Sequence, residues 1–138
     1  MAAPASGGPS SKQSALIQRH LLHIQNNPLP FVQDLQQSVE NGCNQLTGTF
    51  IGPQGTAYAD TKYGFIMRFP EEYPFQMPEF RFTTPIIHPN IDEKTGAVCH
   101  DELHGKWAPS VTLHQFLTEL HQLLANPNHD RPIQVGSV

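Results

Sequence analysis

Residues His88 to Pro109 read HPNIDEKTGAVCHDELHGKWAP, and this stretch decides how the rest of the chain is to be read. It sets one thiol, Cys99, a short loop downstream of Asn90, with Trp107 and Pro109 closing the segment behind it. A nucleophilic site requires an attacking group, a donor for the oxyanion that forms, and a rigid frame for both. Cys99 supplies the first and the Asn90 carboxamide is a neutral donor, while Pro89 restricts His88 and stiffens the approach to Asn90. Asp92, Glu93, Lys94, Thr95 and Gly96 are polar and turn-forming, so the chain is expected to loop back there and bring the two side chains together.

HPN, a short loop, the run Gly96-Ala97-Val98-Cys99-His100-Asp101 and then Trp107-Ala108-Pro109 resemble the active-site signature of ubiquitin-conjugating enzymes. The likeness extends outward. Phe69 to Asn90, FPEEYPFQMPEFRFTTPIIHPN, resembles that family's Tyr-Pro-Phe-x-x-Pro loop and following strand. Thr112 to Pro132 resembles its central helix and Pro-Asn-x-Asp-x-Pro loop, so the resemblance covers the chain from about Lys12 to Pro132. It implies an α+β fold with an N-terminal helix, an antiparallel four-stranded meander and a central helix packed on the sheet. The expected division is a flexible tail over 1–11 and a conjugating core over 12–138. Only six residues follow Pro132, so the family's two further helices are expected to be missing.

The activity implied by the resemblance is transfer of ubiquitin from an activating enzyme onto Cys99 as a thioester, then to a substrate lysine or a ligase. Cys99 and Asn90 would be catalytic, Asn90 serving the oxyanion directly or by holding the loop, Asp101 and Asp130 would orient and desolvate the lysine, and His88 and Pro89 would be structural. Phe75, Ala108, Pro109 and Ser110 would meet the ligase. Ubiquitin, activating enzyme, ligase and protein substrates are the implied partners, with no cofactor and no metal. Three positions depart from the pattern: Arg131 precedes Pro132 where relatives carry an acidic or polar residue, His100 stands where Leu is common, and the Asn90 to Cys99 spacing is one residue longer. The longer loop, with Thr95-Gly96, is similar to the peroxisomal branch, so the expected setting is cytoplasm or nucleus with peroxisome association as a further option.

The composition agrees with one soluble domain, since a chain of 138 residues can bury roughly two-thirds of its unfolded surface. With 8 basic against 12 acidic residues and a net charge of −4, nucleic acid and anionic membrane are poor partners. No apolar run approaches the ~20 residues of a membrane helix. Cys43 and Cys99, without a secretory signal, read as reduced intracellular thiols. Met1 to Ser11 is Ala, Pro, Ser and Gly with almost no bulky side chain, a composition that cannot offset ordering entropy.

Ile17, Leu21 and Ile24 fall at helical spacing, predicting a helix from Lys12 to about Gln25 stopped by Asn26-Asn27-Pro28, with Arg19, His20 and His23 on a solvated face. Period-two runs follow at Leu46/Gly48/Phe50, at Tyr63/Phe65/Met67/Phe69 and at Phe80/Phe82, and Gly52-Pro53-Gln54-Gly55 is turn chemistry between the first two. Tyr73 to Pro78 is a stiff loop that leaves Phe75 exposed. Leu113, Phe116, Leu117, Leu120 and Leu124 form one stripe with a Thr112/Gln115 capping box at its start. His114, His121 and His129 are expected to face solvent. Zinc is disfavoured because Cys99, His100 and His104 lack a partner motif.

Three alternatives stand beside this reading. A silent binding scaffold on the same fold would lack the cysteine; a ubiquitin-like modifier could replace ubiquitin. A cysteine hydrolase using His100 or His104 with Asp101 would need adjacent residues to converge as a triad.

Overall fold

The computed structural model describes residues 8–128, apart from the side chains of His100 and Asp101. Residues 1–7 of the expected tail, and the stretch carrying His129, Asp130, Arg131 and Pro132, lie outside the described residues.

Helix α1, Ser11–Asn26, starts where the Ser10 hydroxyl accepts from the Gln13 N–H at 3.0 Å. It stops at Asn27, whose N–H turns back to His23 and Ile24, and Pro28 cannot extend it. Four strands follow, β1 (Val32–Glu40), β2 (Cys43–Ile51), β3 (Lys62–Arg68) and β4 (Glu79–Phe82), in the sheet order β1-β2-β3-β4 with every neighbouring pair antiparallel. This is the four-stranded meander that the resemblance implies, although alternation of apolar residues reveals only the last three strands. β1 reads VQDLQQSVE, an edge strand with exposed or half-buried positions throughout and a register break between Gln33 and Gln36. Its signal was the turn after it. Asn41 and Gly42 both take positive φ, 54° and 78°, and join paired Glu40 and Cys43 as a two-residue hairpin loop.

The inner sheet face is aromatic. Leu46 and Phe50, then Tyr63, Phe65 and Met67, then Phe80 and Phe82 are buried in the alternation expected of a half-buried sheet. Phe50 is fully buried, with edge-on contacts to Phe65, Phe80 and Phe82 at ring separations of 5.8 to 6.4 Å. Helix α3, Leu113–Ala125, lies on this face with Leu113, Phe116, Leu117, Leu120, Leu123 and Leu124 buried, and its capping box is present. A short helix α2, His100–His104, follows Cys99.

The histidines differ from expectation. His20 is half-buried and its Nδ1 accepts the Leu113 N–H at 3.0 Å, holding the start of α3 against α1. The reason is spacing: position 20 lies three after Ile17 and four before Ile24, on the buried stripe rather than off it. His114 and His121 likewise flank the α3 stripe and are half-buried, His114 against the His23 ring at 5.3 Å and His121 stacked on Phe31 at 3.9 Å. A buried Gln13 also goes beyond the apolar pattern: it donates to the Pro70 carbonyl at 2.9 Å and accepts from Asn44 at 3.0 Å, tying α1 to the sheet.

Burial first, then the charges of Arg19 and His23, hold the His20 imidazole below its ordinary value of 6.5, and burial does the same to His121. Between the ordinary and the depressed values the unfolded chain binds more protons than the folded one, so stability is full above about 6.5 and is lost as pH falls through the folded values. The melting temperature should therefore drop as the pH falls from neutral through about 6.5 and below, and a His20→Gln/His121→Gln variant should show a flatter profile. Thermal unfolding followed by circular dichroism checks this; a wild type with no pH dependence in that window contradicts it.

Candidate active site

The segment after β4 reaches the site through Ile86, buried, and Ile87, exposed, whose carbonyl accepts from the Tyr58 hydroxyl. His88 is buried beneath the loop: its Nδ1 accepts the Asn90 N–H at 3.1 Å, so Nε2 carries the proton and donates to the Leu123 carbonyl at 2.9 Å. One ring thereby ties the loop to α3.

Asn90 is wholly buried. Its Nδ2 donates to the Asn128 carbonyl at 2.9 Å and its Oδ1 accepts the Asn128 N–H at 2.8 Å. The carboxamide thus reproduces, across thirty-eight residues, the paired bonding of a strand neighbour. Asn90 also meets Cys99 through the main chain, where its carbonyl accepts the Cys99 N–H at 2.8 Å. Cys99 sits at the N-cap of α2, its own carbonyl accepting from Glu102 and Leu103 at 3.2 and 3.4 Å. The residue is half-buried, and both it and Cys43 are free thiols.

The loop between them is built by Asp92. Its side chain accepts from the Lys94 N–H at 3.0 Å and the Thr95 hydroxyl at 2.9 Å, while its main chain pairs with Gly96 and Ala97. The hydrogen bond from Lys94, then that from Thr95, holds the carboxyl below its usual range. Gly96 is required twice over, at φ 78° and with the Phe82 carbonyl so close that a Cβ would lie 2.0 Å from its oxygen.

On the other side of Cys99, Trp107 packs on Tyr73 and Phe116, each at 5.8 Å, and its indole N–H donates to the Pro74 carbonyl at 3.0 Å. That bond joins the loop bearing Phe75 to the one bearing Ala108, Pro109 and Ser110, all four exposed. A groove of about 460 Å³ lies beside the Phe75 loop, lined by Phe75, Met77, Phe80, Val98, Leu103 and Trp107 among others.

The structure brings Asn90 next to Cys99 by backbone, with His88 and Pro89 in the same turn, and sets the Asn90 side chain on Asn128. The Asp101 side chain and all of Asp130 lie outside what is described. No group of His, Cys, Asp and Glu able to hold a metal ion occurs among the described residues. Sequence reasoning passed over Asn128 and Glu102. Glu102 is three positions from the thiol and accepts from the Asn128 side-chain amide at 2.6 Å.

Replacing Asn90 with Ala strips both bonds from the Asn128 backbone. It should lower stability by about 1–3 kcal/mol, the penalty for leaving a part-buried polar group unsatisfied. Urea unfolding measures this, and an unchanged midpoint would show that the clamp carries no folding free energy.

The sequence model described as ubiquitin-conjugating enzyme matches residues 16–137. Ubiquitin-conjugating enzyme E2 K of Homo sapiens is 42% identical over 94 residues, covering 68% of this chain and 47% of its own. Ubiquitin-conjugating enzyme E2 1 of Schizosaccharomyces pombe is 32% identical over 123 residues, covering 89% of this chain and 56% of its own. This chain thus spans about half the length of those relatives. The solved E2 domain of a Toxoplasma gondii ubiquitin conjugating enzyme superposes with a TM-score of 0.73 at 30% identity, covering 87% of this chain and 79% of that one.

Proposed function

The chain belongs to the ubiquitin-conjugating enzyme family, and we propose from that premise that it carries ubiquitin on Cys99 and delivers it to a lysine or a ligase cysteine. The observation carrying this reading is a half-buried free cysteine, Cys99, whose N–H is held by the carbonyl of the same Asn90 that clamps Asn128.

In the loading step the Cys99 thiolate attacks the thioester carbonyl that links ubiquitin to its activating enzyme. A new C–S bond forms and the activating enzyme's thiolate leaves. In the transfer step a neutral lysine amine attacks the same carbonyl, the C–S bond breaks, the electron pair returns to Cys99 as thiolate, and the surplus amine proton passes to water. Thiol exchange of this kind runs with an ordinary cysteine, because a lower pKa weakens the nucleophile it exposes. The demand falls on the second step, where the amine must be held, desolvated and relieved of its proton.

Asn90 serves that step by holding the Asn128 loop as a wall of the site, in place of donating from open solvent to the oxyanion. Asp101 and Asp130 are assigned to the incoming lysine on the strength of their chain positions, two residues after Cys99 and two after Asn128. The exposed Phe75, Ala108, Pro109 and Ser110, joined by the Trp107–Pro74 bond, form the ligase-facing end. Free thiols at both cysteines support an intracellular setting. No described helix is long and apolar enough to cross a membrane.

Incubation with activating enzyme, ATP and ubiquitin should give an adduct that reductant removes, absent in Cys99→Ala and converted to a reductant-stable ester in Cys99→Ser. An intact fold with no adduct would replace the transferase by a binding scaffold. Asn90→Ala should load near-normally yet transfer to lysine on the order of 100-fold more slowly, as losing a preorganised site contact does. Equal loss in both steps contradicts the assignment.

A further inference from the structure

Glu102 stands on the first turn past Cys99, and the reaction as set out above gives it no part. Its Oε2 accepts the Asn128 side-chain amide at 2.6 Å, the short separation of a charge-assisted bond. Asn128 is also the residue whose N–H and carbonyl are held by Asn90 at 2.8 and 2.9 Å. The Asn90 carbonyl accepts the Cys99 N–H at 2.8 Å, and the Cys99 carbonyl accepts the Glu102 N–H at 3.2 Å. Glu102, Asn128, Asn90 and Cys99 therefore close a ring of hydrogen bonds, and the main chain of the nucleophile is one of its links.

We propose that Glu102 is a positioning residue for transfer: it pins the loop carrying Asn128 from the α2 side while Asn90 pins it from the other. The inference rests on the transferase reading and names one more residue on which its second step depends. Asn128 follows the C-terminus of α3 and Pro127, outside any regular element, so its orientation comes from side-chain bonds rather than from a ladder. With the ring closed, the thioester carbonyl on Cys99 meets the amine against a fixed wall. With Glu102 removed, the Asn128 carboxamide loses that acceptor and the wall is held through Asn90. Loading, in which the reacting sulfurs are brought together by the activating enzyme, depends less on that wall than attack by a small amine does.

The test is single-turnover discharge of ubiquitin from Cys99 onto free lysine, beside the rate of loading, in the full chain. Glu102→Ala should slow discharge about 10-fold, the worth of one hydrogen bond to a charged group, with much less effect on loading. Asn128→Ala should slow it similarly, and the double variant should be no slower than either alone, because both break the same bond. Glu102→Gln, whose amide oxygen still accepts, should stay within about 2-fold of wild type. Asn128→Asp, which faces one carboxylate with another, should be slow, and adding Glu102→Gln to it should restore the rate by reversing donor and acceptor. These last two variants keep side-chain volume, so they remain informative should Glu102→Ala fail to fold.

Wild-type discharge in Glu102→Ala overturns the inference, as do multiplying losses in the double variant or a Glu102→Gln protein as slow as Glu102→Ala. A wild type that never loads overturns the transferase reading and this inference with it. A wild type that loads, with Glu102→Ala unaffected, overturns this inference alone.

Discussion

The Asn90 carboxamide gripping the Asn128 backbone is the constraint on which the rest of the site depends. Its two bonds, 2.8 and 2.9 Å, connect a loop that follows β4 to one that follows α3. A wholly buried amide must have its polar atoms satisfied, and here Nδ2 donates to and Oδ1 accepts from the main chain of a segment that has no ladder of its own. His88 adds a second tie, from the same turn to the Leu123 carbonyl near the end of α3. The thiol's setting is thus fixed by two polar side chains two residues apart, and any account of reactivity at Cys99 begins from them.

Those ties hold only because the sheet and α3 are rigid relative to each other. Phe50 at the centre of the aromatic face contacts rings from β3, β4 and the segment before β1, while Phe116 reaches both Phe80 and Trp107. Trp107 then carries that rigidity outward, since its indole bond to Pro74 links the two exposed loops. Core packing, site frame and outer rim form one continuous mechanical path. Close-packed interiors transmit displacement rather than absorb it, so a change at Phe116 bears on both the groove and the loop beyond the thiol.

How far the chain could be read without coordinates follows from which interactions are periodic. The stripes of α1 and α3, the alternation in β2, β3 and β4, and the Thr112/Gln115 cap are repeats or short motifs, and they emerged directly. β1 did not, because an edge strand with few buried positions carries little alternation; the Asn41-Gly42 pair was the stronger signal. His20 lies on the buried side of α1 because spacing outweighs polarity: position 20 falls on the same face as Ile17 and Ile24. The proximity of Cys99, Asn90 and His88 follows from a compact motif. Asn128 and Glu102 were not, because the 2.6 Å bond between them joins residues twenty-six positions apart. No local pattern encodes a contact of that separation.

The claim that Asn90 works by holding the Asn128 loop is tested most directly by amide hydrogen exchange at Asn128, residue by residue, in wild type and in Asn90→Ala. The account predicts slow exchange in the wild type and at least about 10-fold faster exchange in the variant, with α1 amides unchanged, since a locally freed N–H opens without global unfolding. Equal protection of the Asn128 amide in the two proteins would contradict it.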